Sequence, residues 1–115
     1  METIKKNREF RYIYSTKKSI ADSLLVIYKS KATTPSNRFG ITVSSKVGNA
    51  VVRNKIRRRL KEILRLYGDE IKVGFDIIIL ARVRAKNANY DELKTSVYYL
   101  CKKQNLLINP SRRWN

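Results

Sequence analysis

Six of the nine residues from Arg53 to Lys61 carry positive charge: Arg53, Lys55, Arg57, Arg58, Arg59 and Lys61. Guanidinium and ammonium groups at this density cannot act as a general acid–base pair. They form a receptor for anions, above all phosphate, which the planar fork of arginine grips through two parallel hydrogen bonds. On a helix advancing about 100° per residue, Arg53, Asn54, Arg57, Arg58, Lys61 and Arg65 fall within about 140° of arc. Val52, Ile56, Leu60, Ile63 and Tyr67 take the opposite side, with Leu64 at the edge of the basic arc beside Arg53 and Arg57, and Lys55 and Arg59 fill the remaining arc. Like charges at i, i+4, such as Arg53/Arg57 and Arg57/Lys61, repel. A face that met only water would mix signs along its length. This one is interrupted only by Glu62 and calls for a polyanionic partner.

The rest of the composition narrows the chemistry further. With 26 Lys and Arg against 9 Asp and Glu, the 115 residues carry a formal charge of +17, with no histidine and one cysteine, Cys101. That inventory excludes a Cys/His zinc site, a Ser-His-Asp triad, a Cys-His pair and a disulfide framework. Cys101 lies in a helical pattern and reads as a small buried apolar residue. Asp69/Glu70 fall in a turn, and Asp91/Glu92 in the first turn of a helix, where negative charge suits the macrodipole. Neither pair resembles the converging carboxylates that hold two Mg²⁺ ions in a metal nuclease. No catalytic residue and no protein-bound metal is therefore assigned.

A hydrophobic fraction of 43% places the charge on a fold rather than a disordered tail. Residues 1–19 alternate charged and apolar side chains, so no signal peptide is expected. The longest apolar runs, Leu24–Tyr28 and Ile77–Ala81, fall well short of the roughly 20 residues of a membrane span. A cytoplasmic protein without a membrane partner is expected.

The basic face needs a scaffold. Asn49 is a suitable N-cap and Gly68 a suitable stop for a helix between them. Upstream, Phe10 and Tyr14 at i, i+4, with Ile13 beside them, predict a short amphipathic helix capped by Asn7. Ser23–Lys31 and Arg38–Ser45 read as an antiparallel hairpin around the turn cluster Ala32–Asn37, and no pattern supports a minor strand before Ser23. Phe75–Val83, nearly continuous in apolar residues, reads as a central strand. Asn89 and Glu92 form a capping box for a last helix through Leu93, Val97, Leu100 and Cys101. Residues 109–115 read as a loose tail on a single domain spanning 1–115. The pattern is helix, hairpin, helix, strand, helix in one two-layer α+β domain.

The run Ser44–Glu62 closely resembles the motif of the bacterial ribonuclease P protein family. Gly48-Asn49-Ala50-Val51 matches the family's lead-in, and Arg53-Asn54-Lys55 stands where the family has Arg-Asn-Arg, Lys55 keeping the charge without the fork. Lys5–Tyr14 resembles the family's first helix with its paired aromatics, Leu25–Tyr28 its inner strand, and Asp76–Arg82 its buried strand. The resemblance implies an αβββαβα order with a left-handed βαβ crossover (ribosomal protein S5 domain 2-like). It implies the protein subunit of an endoribonuclease that removes the 5′ leader of precursor tRNA, with cleavage performed by a catalytic RNA that requires Mg²⁺. Arg53, Asn54, Lys55, Arg57, Arg58 and Lys61, with Arg65 on the same face, would meet that RNA. The leader would lie between the first helix and the sheet, against Phe10, Tyr14 and Tyr28.

Taken by themselves, these three aromatics fit either a stacking platform for unpaired bases or ordinary core packing. Arg11, Lys17 and Lys18, expected on the first helix, and Ser45 and Lys46, after the hairpin, would contact leader phosphates. No obligate protein partner is evident. Composition alone would equally suit a ribosomal or nucleoid-binding protein, and the Gly48–Lys61 motif together with the aromatic first helix separates the two. An autonomous ribonuclease is disfavoured by the absence of histidine.

Overall fold

A strand whose side chains are apolar on both faces must be covered on both. In the computed structural model, Phe75–Ala81 is the middle strand of five, buried at Asp76, Ile77, Ile78, Ile79 and Ala81 and half-exposed at Phe75 and Leu80. The structure describes residues 1–32 and 34–114; Thr33 of the expected turn and Asn115 of the expected tail lie outside them. In chain order the strands are β1 (Glu2–Thr3), β2 (Ser19–Ala21), β3 (Leu25–Lys31), β4 (Arg38–Thr42) and β5 (Phe75–Ala81). The helices are α1 (Asn7–Ser15), α2 (Ala50–Tyr67) and α3 (Tyr90–Lys103), with short 3₁₀ turns at Gly68–Glu70 and Val83–Asn87. The expected αβββαβα order is present, preceded by β1, in one α+β domain.

The sheet order is β1-β4-β5-β3-β2, and it corrects the expected hairpin. β3 and β4 do not pair; β5 lies between them, antiparallel to β3 from Leu25↔Ala81 to Lys31↔Phe75 and parallel to β4 from Arg38↔Asp76 to Thr42↔Leu80. Paired along both edges, the most apolar strand is placed where both faces can be buried. α2 supplies the long crossover that a parallel β4/β5 pair requires. β2 runs antiparallel to β3 and β1 parallel to β4; β1, with two exposed residues, carries no hydropathy signal.

Alternation along β5 divides the core. Ile77, Ile79 and Ala81 point with Leu25, Ile27 and Phe39 toward Ile56, Leu60 and Ile63 of α2 and Leu93, Val97 and Leu100 of α3. Ile78, on the other face, packs with Ile4 and Ile13 beneath α1. Cys101 is buried in the larger core, which pushes its thiol up to about 12 and leaves it unreactive at neutral pH.

The caps follow the sequence in part. The Asn49 side chain accepts from the Val52 amide at 3.0 Å, and the Asn89/Glu92 box closes with bonds of 2.8 and 3.0 Å. At α1 the cap is Lys6, not Asn7, and the Glu9 carboxylate accepts from the Lys6 amide at 3.4 Å. Gly68 keeps a right-handed φ of −57° and leads into a 3₁₀ turn rather than a left-handed stop. Asn49→Ala is expected to cost about 1 kcal/mol, the usual loss for an N-cap acceptor, readable as a shift in the urea midpoint at constant slope.

Over its described residues the expected tail is exposed from 109 to 113 but held down at Trp114. Leu106 and Leu107 are buried, and Trp114, 7% exposed, stacks on Tyr67 with centroids 4.9 Å apart and meets Tyr98 edge-on. Tyr98 also donates its hydroxyl to the Pro110 carbonyl at 2.8 Å. The gap between α2 and α3 is lined by aromatic rings, and a large apolar indole fills it better than solvent does.

Candidate nucleic-acid interface

α2 buries Ile56, Leu60, Ile63 and Leu64, and so turns its basic arc outward. Asn54, Lys55, Arg58, Lys61 and Arg65 are exposed, while Arg53, Arg57 and Arg59 are half-buried. The half-buried arginines are engaged with backbone. Arg53 Nε donates to the Gly48 carbonyl at 3.2 Å, Arg57 Nη2 to the Val43 carbonyl at 3.2 Å, and Arg59 Nη1 to the Ala88 carbonyl at 2.9 Å. Arg57 Nη1 also donates to Asn54 Oδ1 at 3.0 Å. Neutral carbonyls leave these guanidinium charges uncompensated, so they orient the side chains without cancelling the field. Arg65 differs: it pairs with Glu62, whose carboxyl it holds below the usual carboxylate range. The strongest exposed charge therefore lies toward the N-terminal half of α2.

The second face is the α1 side of the sheet, ordered in rows by register. Arg38, Asp76 and Ser30 form one row; Gly40, Ile78 and Tyr28 the next; Thr42, Leu80 and Val26 the third. Phe10 lies directly on Gly40, where an added Cβ would come within 2.7 Å of the ring. A glycine inside a strand is the sequence signal of such close approach. The Tyr14 ring meets Tyr28 edge-on at 4.9 Å and lies 6.3 Å from Phe10, and its hydroxyl is paired with Thr42 Oγ1 at 2.7 Å. Burial raises the Tyr14 hydroxyl above its ordinary pKa. All three rings are half-buried around Ile13 and Ile78, a position between core and platform. In the third row, Val26 and Leu80 remain half-exposed, giving an apolar floor beside the rings.

The first row holds residues that sequence reasoning missed. Arg38 grips both oxygens of Asp76, at 3.0 and 2.8 Å, and reaches Glu9 of α1 at 2.6 Å. The carboxylates of Asp76 and Glu9 raise the guanidinium above its ordinary value, and Glu9 is lowered chiefly by its hydrogen bond from Arg38. The one available signal was a lone Asp at the start of a strongly apolar strand.

Arg11 is exposed on α1. Lys17 and Lys18 are exposed too but do not lie on that helix, which ends at Ser15; Lys17 takes a left-handed φ of 56° as the chain turns toward β2. Ser45 and Lys46 are exposed in the turn closed by Val47 N–H on the Ser44 carbonyl at 3.1 Å. The two faces meet at the end of β4, where Thr42 holds Tyr14 and the next residue, Val43, accepts from Arg57.

Among the described residues no three His, Cys, Asp or Glu side chains come together as a metal site, and no helix is long and apolar enough to cross a membrane. Several carboxylates are already engaged. Asp22 accepts from the Leu24 and Leu25 amides and from Ser96, Asp76 and Glu9 hold Arg38, and Glu92 caps α3.

The family described as Ribonuclease P matches residues 1–105. The Ribonuclease P protein component of Alkaliphilus oremlandii is 41% identical over 104 residues, covering 90% of this chain and 91% of that protein. That of Clostridium kluyveri is 45% identical over 105 residues, covering 90% and 94%. Among solved structures, the RNase P protein of Staphylococcus aureus is similar with a TM-score of 0.86 at 34% identity, covering 93% of this chain and 98% of the other. The RNase P protein of Thermotoga maritima gives 0.81 at 28% identity, covering 90% and 97%.

Proposed function

The chain belongs to the ribonuclease P protein family, the protein component of a ribonucleoprotein that processes tRNA, and from that premise we propose how its two faces divide the work. The component assists removal of the 5′ leader from precursor tRNA. The exposed arc of α2, with Asn54, Lys55, Arg58 and Lys61 outward and Arg53 and Arg57 oriented by backbone carbonyls, binds the ribonuclease P RNA through its phosphates. Arg65, part-neutralised by Glu62, contributes less.

The aromatic face takes the leader. Bases of a single strand stack on Phe10, Tyr14 and Tyr28 and lie along the Val26/Leu80 floor, while Arg11, Lys17, Lys18, Ser45 and Lys46 meet its backbone. The observation that carries this reading is three half-buried rings beside an uncovered apolar row on a chain of charge +17. A core would have been closed by a helix, and a purely electrostatic surface would have no use for rings.

Bond breaking is assigned to the RNA subunit, which requires Mg²⁺. The protein has no histidine, and its engaged carboxylates serve folding. Its own contribution is charge neutralisation and grip on substrate, realised before the chemical step. Acting on tRNA, it works in the cytoplasm.

The test is reconstitution. Added to a bacterial ribonuclease P RNA at a Mg²⁺ concentration too low for the RNA to act efficiently alone, the chain should accelerate accurate leader removal. Binding without any gain in cleavage would overturn the assignment.

A further inference from the structure

We propose that Arg38 is a positioning residue for the leader: by gripping Asp76 on the central strand and Glu9 on the first helix, it fixes where α1 holds Phe10 and Tyr14 above the sheet. The inference rests on the reading of the aromatic face given above.

α1 has nine residues, too few for a stable helix on its own. The buried side chains beneath it are Ile4, Ile13 and Ile78, a small cluster beside the core on the opposite face. Apolar contacts of this extent hold a helix against a sheet but leave it free to slide or pivot, so its seat depends on directional bonds. Two such bonds tie α1 to the sheet, one near each end. Tyr14 is paired with Thr42 at 2.7 Å near the C-terminal end, and Glu9 accepts from Arg38 at 2.6 Å in the first turn.

Arg38 is suited to this role because its other edge is already fixed. Nε and Nη2 bind the two oxygens of Asp76, whose side chain is 8% exposed and stands in register with Arg38 across β4 and β5. The planar guanidinium then gives the Nη1 N–H groups a set direction, and Glu9 accepts one of them. The coupling to the rings is short. Phe10 follows Glu9 in the chain, and Gly40, on which Phe10 rests, is the next residue after Arg38 on the same face of β4. Losing the ion pair frees the first turn of α1 and lifts Phe10 from its seat.

Charge alone makes the opposite prediction. Glu9 is a carboxylate beside a surface that receives a polyanion, so neutralising it should strengthen RNA binding. Glu9→Gln is therefore a decisive variant, since glutamine also serves in a capping box and only the ion pair is removed. Arg38→Lys keeps the charge and loses the fork.

Each variant is assembled with a bacterial ribonuclease P RNA, and affinity is measured for precursor tRNA with a 5′ leader and for the same tRNA without one, beside the melting temperature of the free protein. Glu9→Gln and Arg38→Lys should each weaken binding of the leader-bearing substrate by about three- to tenfold, the scale of one charge-assisted hydrogen bond. Affinity for leaderless tRNA and for the RNA subunit should be unchanged. Unchanged or tighter leader binding overturns the proposal, and so does an equal loss for both tRNAs. Phe10→Ala, run in parallel, separates the two levels. If it leaves the leader preference intact, the aromatic-face reading itself falls. If it abolishes the preference while Glu9→Gln and Arg38→Lys retain it, the positioning role alone falls.

Discussion

Phe10→Ala and Tyr28→Ala should each weaken holoenzyme binding to precursor tRNA by about 1–3 kcal/mol, the range of one base stacked on an aromatic ring, while binding of mature tRNA is unchanged. Both rings are half-buried beside Ile78, so each truncation also removes packing. A fully buried Phe→Ala costs about 3–5 kcal/mol of stability, and these half-exposed positions should cost less. The diagnostic is selectivity. A protein that is merely loosened binds both tRNAs worse; one that has lost a stacking surface loses only the substrate with a single strand to stack. Cleavage at saturating substrate should change little, because the interaction is already made in the ground state. An equal loss for leader-bearing and leaderless tRNA would return the rings to the core.

What can be read in the sequence is what is encoded locally. The period of Val52, Ile56, Leu60, Ile63 and Leu64 and the Asn49 cap define α2, and the same residues define its basic face. β5 declares itself central by its unbroken Ile77-Ile78-Ile79 run, and Asn89 with Glu92 declares the start of α3. What cannot be read is partnership. β3 and β4 carry ordinary strand patterns with a turn between, and nothing in either shows that β5 will enter between them; that follows from burying β5 on both faces. The Arg38–Asp76–Glu9 bridge joins three elements far apart in sequence; Arg38 and Glu9 alone read as surface charge, and Asp76 stands out only as a lone acid at the start of an apolar strand. Trp114 reads as tail because its partners, Tyr67 and Tyr98, lie on two helices whose mutual packing no local pattern specifies. Within the candidate site, the rings and the basic face are legible by type and spacing. Their support by Thr42 and Arg38 is tertiary and is not, and Gly40 leaves only the mark of a glycine inside a strand.

Alanine at Arg58 and Lys61 together should flatten the logarithmic salt dependence of binding to the ribonuclease P RNA by about 1.4–1.8, that is, about 0.7–0.9 for each phosphate no longer neutralised. Both side chains are exposed, so the melting temperature should hardly move. Arg57→Ala should differ in kind. Its guanidinium donates to the Val43 carbonyl and to Asn54, so its removal deletes a proposed phosphate ligand together with a tie between α2 and the end of β4. That variant should lower the slope by about the same amount per charge and also cost about 0.5–1.5 kcal/mol of stability, the net worth of an ordinary hydrogen bond. Because Val43 follows Thr42, which holds Tyr14, Arg57→Ala should also reduce the preference for leader-bearing tRNA, whereas Arg58→Ala and Lys61→Ala should not. The comparison turns on the slope rather than on affinity at one salt concentration, where a missing phosphate ligand and a general fall in positive charge look alike. If the double variant binds less tightly but keeps the full slope, its side chains do not displace counterions from the RNA, and the exposed arc of α2 is not the phosphate-binding face.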